Sequence, residues 1–315
     1  GGFYNSLGGT ATITQSTLSG NMASYGGGIY NLEMAIVSES VLSGNSVLAH
    51  GGGLFNKGVA NLTNTSVSGN SSGSTGGGIF NSLYATTTVT QSTISGNSAS
   101  SAGGGIWNWG TANLIGSIVA NSTTGGELAG PSSFIGSFNL IEDGSGVGLS
   151  GTITGDPLLG PLQDNGGPTW THALLPGSPA IDMGDPAFTA PPDFDQRGDP
   201  FTRVHNGRID IGAYEAQPLL ADVNGDMVVN GLDFLLIQAA GGDIARWNAE
   251  YGVTAPMEQP SLVVTTDQDV VDPFDGETSL REAIEYANGL AGADTITFDA
   301  SLAGKTILLA EGELD

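Results

Sequence analysis

GGGIYN (26–31), GGGLFN (51–56), GGGIFN (76–81) and GGGIWN (103–108) are four near-copies of one phrase, and GGFYN (1–5) is a partial fifth. Between them runs a second phrase: STLSGN (16–21), SVLSGN (40–45), TSVSGN (65–70), STISGN (92–97) and a degenerate SIVAN (117–121). Its asparagines Asn21, Asn45, Asn70 and Asn97 stand 24, 25 and 27 residues apart. A period in that range marks stacked supersecondary units, each of which buries its apolar side chains only against its neighbours.

Each period offers three short strand patterns. Ile29, Leu54, Ile79 and Ile106 form one column; Ile13, Val37, Leu62, Val89 and Leu114 a second; Leu18, Leu42, Val67, Ile94 and Val119 a third. Ser, Thr, Gln and Asn flank them, which is the alternation of half-buried strands rather than the spacing of a helix. The spacing predicts a mainly β fold over residues 1–155, a right-handed parallel β-helix with coils of about 25 residues stacked at roughly 4.8 Å. The glycine triplets are expected at corners that need positive φ or close backbone approach. Asn31, Asn56, Asn81 and Asn108, like the second-phrase asparagines, are expected to bond amide to amide along the stack. Tyr30, Phe55, Phe80 and Trp107 each follow an inward aliphatic residue, so alternation points them outward, and Tyr4 begins the same column. Two uses are open to that column: rings stacked to stabilise one face, or a surface on which carbohydrate stacks.

Composition narrows the partners. The 315 residues carry a net charge of −25, with seven Lys and Arg in all, so nucleic acid and anionic membranes are disfavoured and divalent cations are natural partners. Acid is uneven: residues 1–155 hold five acidic side chains (Glu33, Glu39, Glu127, Glu142, Asp143) and the remainder twenty-seven. There is no cysteine, hence no disulfide and no thiolate chemistry. No signal peptide and no apolar run long enough to span a membrane appears. The chain opens inside a repeat and closes in a strand-like phrase, so a piece of a longer protein is expected.

Parallel β-helices that cleave acidic polysaccharides need a carboxylate cluster, or calcium with a basic side chain. Residues 1–125 offer Glu33, Glu39, Lys57 and His50 at unrelated repeat positions. No catalytic residues are assigned. A carbohydrate-active enzyme with its catalytic coils outside this chain is the alternative to a non-catalytic protein.

Family resemblance enters further along. DPLLGPLQDNGGPTWTHALLPGSPAIDMGD (156–185), DQRGDP (195–200) and DIGAYE (210–215) resemble the choice-of-anchor domain that ends β-helical surface proteins of bacteria. Asp156, Asp164, Asp182, Asp195, Arg197, Asp210 and Glu215 are its polar positions. Arg197 between Asp195 and Asp210 reads as a structural ion-pair set, and His172 as a packed loop residue.

In ADVNGDMVVNGLDFLLIQ (221–238), Asp222, Asn224, Asp226, Asn230 and Asp233 occupy positions 1, 3, 5, 9 and 12 of a calcium loop, with the Val228 carbonyl at position 7. Met227 stands where the turn favours glycine, which weakens the site. The stretch resembles a dockerin repeat, and the resemblance implies Ca²⁺ as cofactor and a cohesin-like domain as a partner. Residues 261–299 resemble the CSLREA-type start of a β-helix, with Thr278 in place of the cysteine. Ser279 and Glu282 form a capping box there, and Leu280, Ala283, Ile284 and Ala287 share one helical face.

The expected order is therefore β-helix coils (1–155), the choice-of-anchor-like end (156–217), a small α-helical dockerin-like or EF-hand-like calcium module with linker (218–256), and the cap and first strands of a second β-helix (257–315). The expected role is non-catalytic: a stalk, adhesin or matrix component, extracellular or on the outer surface of a bacterium; a scaffold component docked onto a cohesin through the 218–256 module is a further alternative.

Overall fold

The computed structural model describes residues 1–175, 177–204, 207–216, 262–267, 278–289 and 295–307. They belong to two units, Gly1–Gln217 and Pro218–Asp315. The calcium loop and the whole 218–256 module lie outside the described residues.

The first unit is a parallel β-solenoid. Its first sheet stacks Phe3–Asn5, Ile29–Asn31, Leu54–Asn56, Ile79–Asn81, Ile106–Asn108 and Leu128–Ala129 in coil order. The second stacks Thr10–Thr14, Met34–Ser38, Val59–Thr63, Thr86–Thr90, Thr111–Ile115 and Phe134–Ser137. The third stacks Thr17–Ser19, Val41–Ser43, Ser66–Ser68, Thr93–Ser95, Ile118–Ala120 and Leu140–Ile141. Register follows the sequence columns: Ile29 pairs with Leu54, Leu54 with Ile79 and Ile79 with Ile106. In the second sheet Val37, Leu62, Val89 and Leu114 align one over the next. Leu42, Val67, Ile94 and Val119 do so in the third. A one-residue slip would turn each column to solvent, and each fully buried Leu, Ile or Val contributes about 1.5–3 kcal/mol, so the register is strongly specified. All three columns meet in one continuous core, with Leu18 packed at its edge.

Each of coils one to four also has a strand that the repeat reading lacks. Met22–Tyr25, Ser46–His50, Ser71–Ser72 and Ser98–Ala99 form a fourth, four-stranded parallel sheet. Its aligned column is Ala23, Val47, Ser72 and Ala99, small and chemically mixed, so no apolar periodicity betrays it.

The glycine triplets act in two ways. Gly76 turns the corner with φ +68°, a region that side chains avoid. Gly77 has ordinary φ but lies against the next coil: a Cβ there would sit 2.3 Å from the Ser98 carbonyl oxygen and 2.5 Å from that of Gly104. Another corner uses left-handed residues with side chains, namely Gln15, Glu39, Asn64 and Gln91 at φ between 46° and 50°, before Gly116 takes the position.

Residues 156–216 do more than end the solenoid. After an antiparallel pair, Leu159–Gln163 with Thr171–Leu174, the segment lies along the outward face of the third sheet. Leu174, Ala180 and Ile211 pack there on Ile118, Ala120 and Leu140. The Glu39–Gly116 corner column anchors it at each coil. Thr169 Oγ1 donates to the Glu39 carbonyl, Asn64 Nδ2 to that of Phe194, Arg203 to Gln91 Oε1, and Gly212 N to the Gly116 carbonyl.

In the second unit, Val263–Val264 pairs in parallel with Thr297–Phe298, and the helix Leu280–Gly289 connects them in sequence. The helix starts as expected: Ser279 N donates to Glu282 Oε2 at 2.7 Å and Glu282 N to Ser279 Oγ at 3.1 Å. Val264, Ala283 and Leu302 form its small core, with Leu280, Ile296 and Ile307 packed against them.

Candidate functional site

The outward aromatic column forms. Tyr4, Tyr30, Phe55 and Phe80 stack with ring centroids 5.4, 4.9 and 5.0 Å apart, and the last pair is within 3° of parallel. Coil stacking imposes that spacing, and offset ring stacks of this kind contribute about 0.5–1.5 kcal/mol each beyond area burial. Neighbours from the fourth sheet close over it. The Tyr25 ring meets Phe55 edge-on at 5.4 Å, and the His50 ring stacks on Phe80 at 4.7 Å. Phe55 and Phe80 are consequently only 4% and 5% exposed, while Tyr4 is 63% exposed. Trp107 continues the column in register with Phe80 but is half-buried, and its indole N–H has no hydrogen-bond partner among the described residues. The four rings singled out in the sequence thus share a face, in which Phe55 and Phe80 are covered and Tyr30 and Trp107 are half-buried.

The asparagine columns are amide ladders. Asn5, Asn31, Asn56, Asn81 and Asn108 pass one Nδ2–H to the next Oδ1 at 2.7, 2.8, 3.1 and 2.9 Å. Asn21, Asn45, Asn70 and Asn97 do the same at 2.9, 2.9 and 3.0 Å. A further ladder, of Ser and Thr, was hidden in the first letter of the second phrase. Thr65 N donates to Ser92 Oγ, Ser92 N to Ser117 Oγ, and Ser117 N to Asn139 Oδ1. Where the asparagines give out, carboxylates take over the backbone amides. Glu127 accepts from Ser122 N and Oγ, Glu142 from Asn121 N, and Asp143 from Glu127 N. Burial holds the Glu127 carboxyl above its usual range. These acids are therefore committed to closing the last coils.

Arg197 and Asp195 pair as read from sequence, Nη2 to Oδ2 at 2.6 Å, with Nε 3.0 Å from the same oxygen. The guanidinium lies between the Phe201 and Tyr214 rings, 3.8 Å from each centroid. Asp210 takes a different place from the one expected: its carboxylate accepts from the Asp182 and Ala216 amides. The basic group whose charge it feels is Arg203, a fully buried side chain that no sequence pattern singled out. Arg203 Nη2 donates to Gln91 Oε1 and to the Gly212 carbonyl, while its Nε and Nη1 have no hydrogen-bond partner among the described residues.

His172 is packed, as expected. Its Nδ1 lies 2.7 Å from the Gly160 carbonyl, which can only accept, so Nδ1 carries the proton and Nε2 accepts from Ser68 Oγ at 2.9 Å. Burial lowers the ring's pKa and pushes the Asp210 carboxyl up to about 6. The two act in opposite directions. As pH falls below about 6.5 the unfolded chain protonates His172 before the folded one does, and stability is lost. Asp210 binds its proton first in the folded state, so its contribution grows as pH falls through about 6. A comparison with His172→Gln isolates the first effect. The stability advantage of the native chain over the variant is expected to be larger at pH 7.5 than at pH 5 in paired urea titrations; a constant difference would show that the imidazole stays clear of the linkage.

Residues 91–108 match the repeat of the Chlamydia polymorphic membrane protein family. The match runs from the third-sheet strand of the fourth coil, through Asn97 and a glycine triplet, to Ile106–Asn108 in the first sheet of the fifth. No curated protein and no solved structure matches the chain significantly. Among the described residues no helix is long and apolar enough to cross a membrane.

Proposed function

We propose that this chain is a non-catalytic structural element, a stalk or adhesin-type repeat protein displayed outside a bacterial cell. The observation that carries the reading is that the repeat of the Chlamydia polymorphic membrane protein family matches residues 91–108, which run from the fourth coil of the solenoid into the fifth. A solenoid lengthens by about 4.8 Å with every coil and needs no new core, which suits a rod that projects. The packing of residues 156–216 along the third sheet supports the choice-of-anchor resemblance. The parallel pair 263–264 with 297–298 and its capped helix support a second β-helix beginning in 257–315.

Calcium belongs to the same proposal. Asp222, Asn224, Asp226, the Val228 carbonyl, Asn230 and Asp233 are hard oxygen donors at the odd spacing that wraps Ca²⁺, and they would stiffen the joint between the two β units. A cohesin-like domain is the protein partner this module would take.

Antibody raised against the purified chain should label intact cells of the producing organism without permeabilisation. Labelling only after lysis would overturn the surface assignment. The calcium part has its own readout. Scanning calorimetry of the whole chain should show one transition at higher temperature in Ca²⁺ than in chelator, and Asp222→Ala with Asp226→Ala should abolish the difference.

A further inference from the structure

We propose that the cleft beside Trp170 is a binding site for a neutral glycan. The cleft holds about 330 Å³ and is lined by Thr17, Ser19, Val41, Ser43, Pro168, Thr169 and Trp170. That volume is at the lower end of small-molecule sites. The inference does not depend on where the protein is displayed.

The floor consists of two outward columns of the third sheet, Thr17–Val41–Ser66–Thr93 and Ser19–Ser43–Ser68–Ser95. Further along the solenoid these same columns already serve as a docking floor. Ser66 Oγ donates to Gln196 Oε1 at 2.7 Å, Ser68 Oγ meets His172 Nε2 at 2.9 Å, and Thr93 Oγ1 accepts from Ala213 N at 3.0 Å. Segment 156–216 covers the columns from Val41 onward, and Val41 itself is 1% exposed. It leaves Thr17 and Ser19 open and Ser43 half-buried. At that boundary stands Trp170, a large apolar ring left 56% exposed.

Trp170 is held in place from below. The fully buried Gln196 amide donates to Thr169 Oγ1 at 3.1 Å and to the Trp170 carbonyl at 2.9 Å. Thr169 Oγ1 in turn donates to the Glu39 carbonyl at 3.0 Å. The indole therefore projects from a fixed backbone.

An exposed indole against a floor of hydroxyls suits one ligand chemistry. A pyranose ring presents a face of C–H groups, which stacks on an aromatic ring, and a rim of hydroxyls, which both donate to and accept from Ser and Thr. A polyanion is disfavoured because the lining has no basic group and the chain carries −25. An extended peptide gains less. Between the two floor strands the main-chain groups are spent on each other, as in Val41 N to the Ser16 carbonyl and Gly20 N to that of Ser43, so the floor of the cleft offers a ligand side-chain hydroxyls rather than a strand edge.

The test titrates the full chain calorimetrically with cellohexaose, xylohexaose, mannohexaose and maltohexaose, with hexagalacturonate as the charged control. At least one neutral oligosaccharide should bind at millimolar concentration or below, and at least tenfold (about 1.4 kcal/mol) more tightly than hexagalacturonate. Trp170→Ala should weaken that binding at least tenfold, and Thr17→Val with Ser19→Ala by roughly threefold to tenfold, with melting temperature unchanged because these side chains are exposed. Absence of binding by all four neutral sugars, preference for the galacturonate, or binding that survives Trp170→Ala within twofold would each overturn the proposal. Should Trp170→Ala misfold, Thr17→Val with Ser19→Ala decides alone, and unaltered affinity in it overturns the site.

Discussion

Arg197→Ala is expected to destabilise the first unit by about 3–5 kcal/mol, because it removes the cation hydrogen-bonded to a buried carboxylate and leaves only the more distant charge of Arg203. Asp195 is 0% exposed and Arg197 3%. Besides the guanidinium, the Asp195 carboxylate accepts, among the described residues, from the Arg197 and Glu215 amides, each at 2.8 Å. Two amides do not replace a full charge in a region that excludes water. The alanine also removes the Nη2 donor to the Glu215 carbonyl and empties the slot between Phe201 and Tyr214. Removing both charges should be milder than removing one. In a double-mutant cycle, Arg197→Met with Asp195→Asn should lose less than the sum of the two single changes. Urea titration gives the magnitude, and limited proteolysis gives the place. Residues 156–216 should become cleavable while the coils persist, since their continuous core contains no residue beyond Leu149. A loss below about 1 kcal/mol would show that the pair is a bystander to the packing of this segment.

That segment also marks where the sequence stopped being readable. The solenoid is legible because one coil's solution repeats. The columns through Ile79, Val89 and Ile94 each offer several instances of the same choice, so alternation and period reinforce one another. The fourth sheet escapes because Ala23, Val47, Ser72 and Ala99 share no apolar signature; pairing there is fixed by the strands on either side. Residues 156–216 have no internal repeat. Their motifs resemble a known ending, but which face they cover depends on single side chains met over long separations, such as Ser66 with Gln196 and Gln91 with Arg203. The aromatic column shows the limit of alternation. It correctly sends Phe55 and Phe80 outward, yet cannot say that Tyr25 and His50 fold over them. Trp170 and Arg203 carry no pattern of their own. The Ser and Thr that flank the apolar column of the second phrase read only as strand alternation, and the structure makes them the floor beside Trp170.

The asparagine ladder yields the other large effect, and its size should depend on position. Asn70→Ala is expected to destabilise the solenoid by about 4 kcal/mol, since it leaves several buried groups unpaired at roughly 1–3 kcal/mol each. The Asn70 Oδ1 accepts from both the backbone and the side-chain amide of Asn45, at 3.0 and 2.9 Å. Its Nδ2 donates to the Leu42 carbonyl at 2.9 Å and to Asn97 Oδ1 at 3.0 Å. Asn70 itself is 0% exposed, so water cannot take its place in the tightly stacked coils. Asn21 occupies the same repeat position, but it is half-buried, and it makes two donations to Asn45, one of them from a backbone amide that alanine keeps. Asn21→Ala should therefore lose only about 1 kcal/mol. Because each coil contacts only its neighbours, the central change should also split a single unfolding transition into two, as coils on either side lose their coupling. Urea unfolding followed by circular dichroism reads both numbers and the shape. Equal losses at Asn21 and Asn70, or one sharp transition after a small loss at Asn70, would mean that apolar columns alone hold the coils in register and that the amides merely ride along.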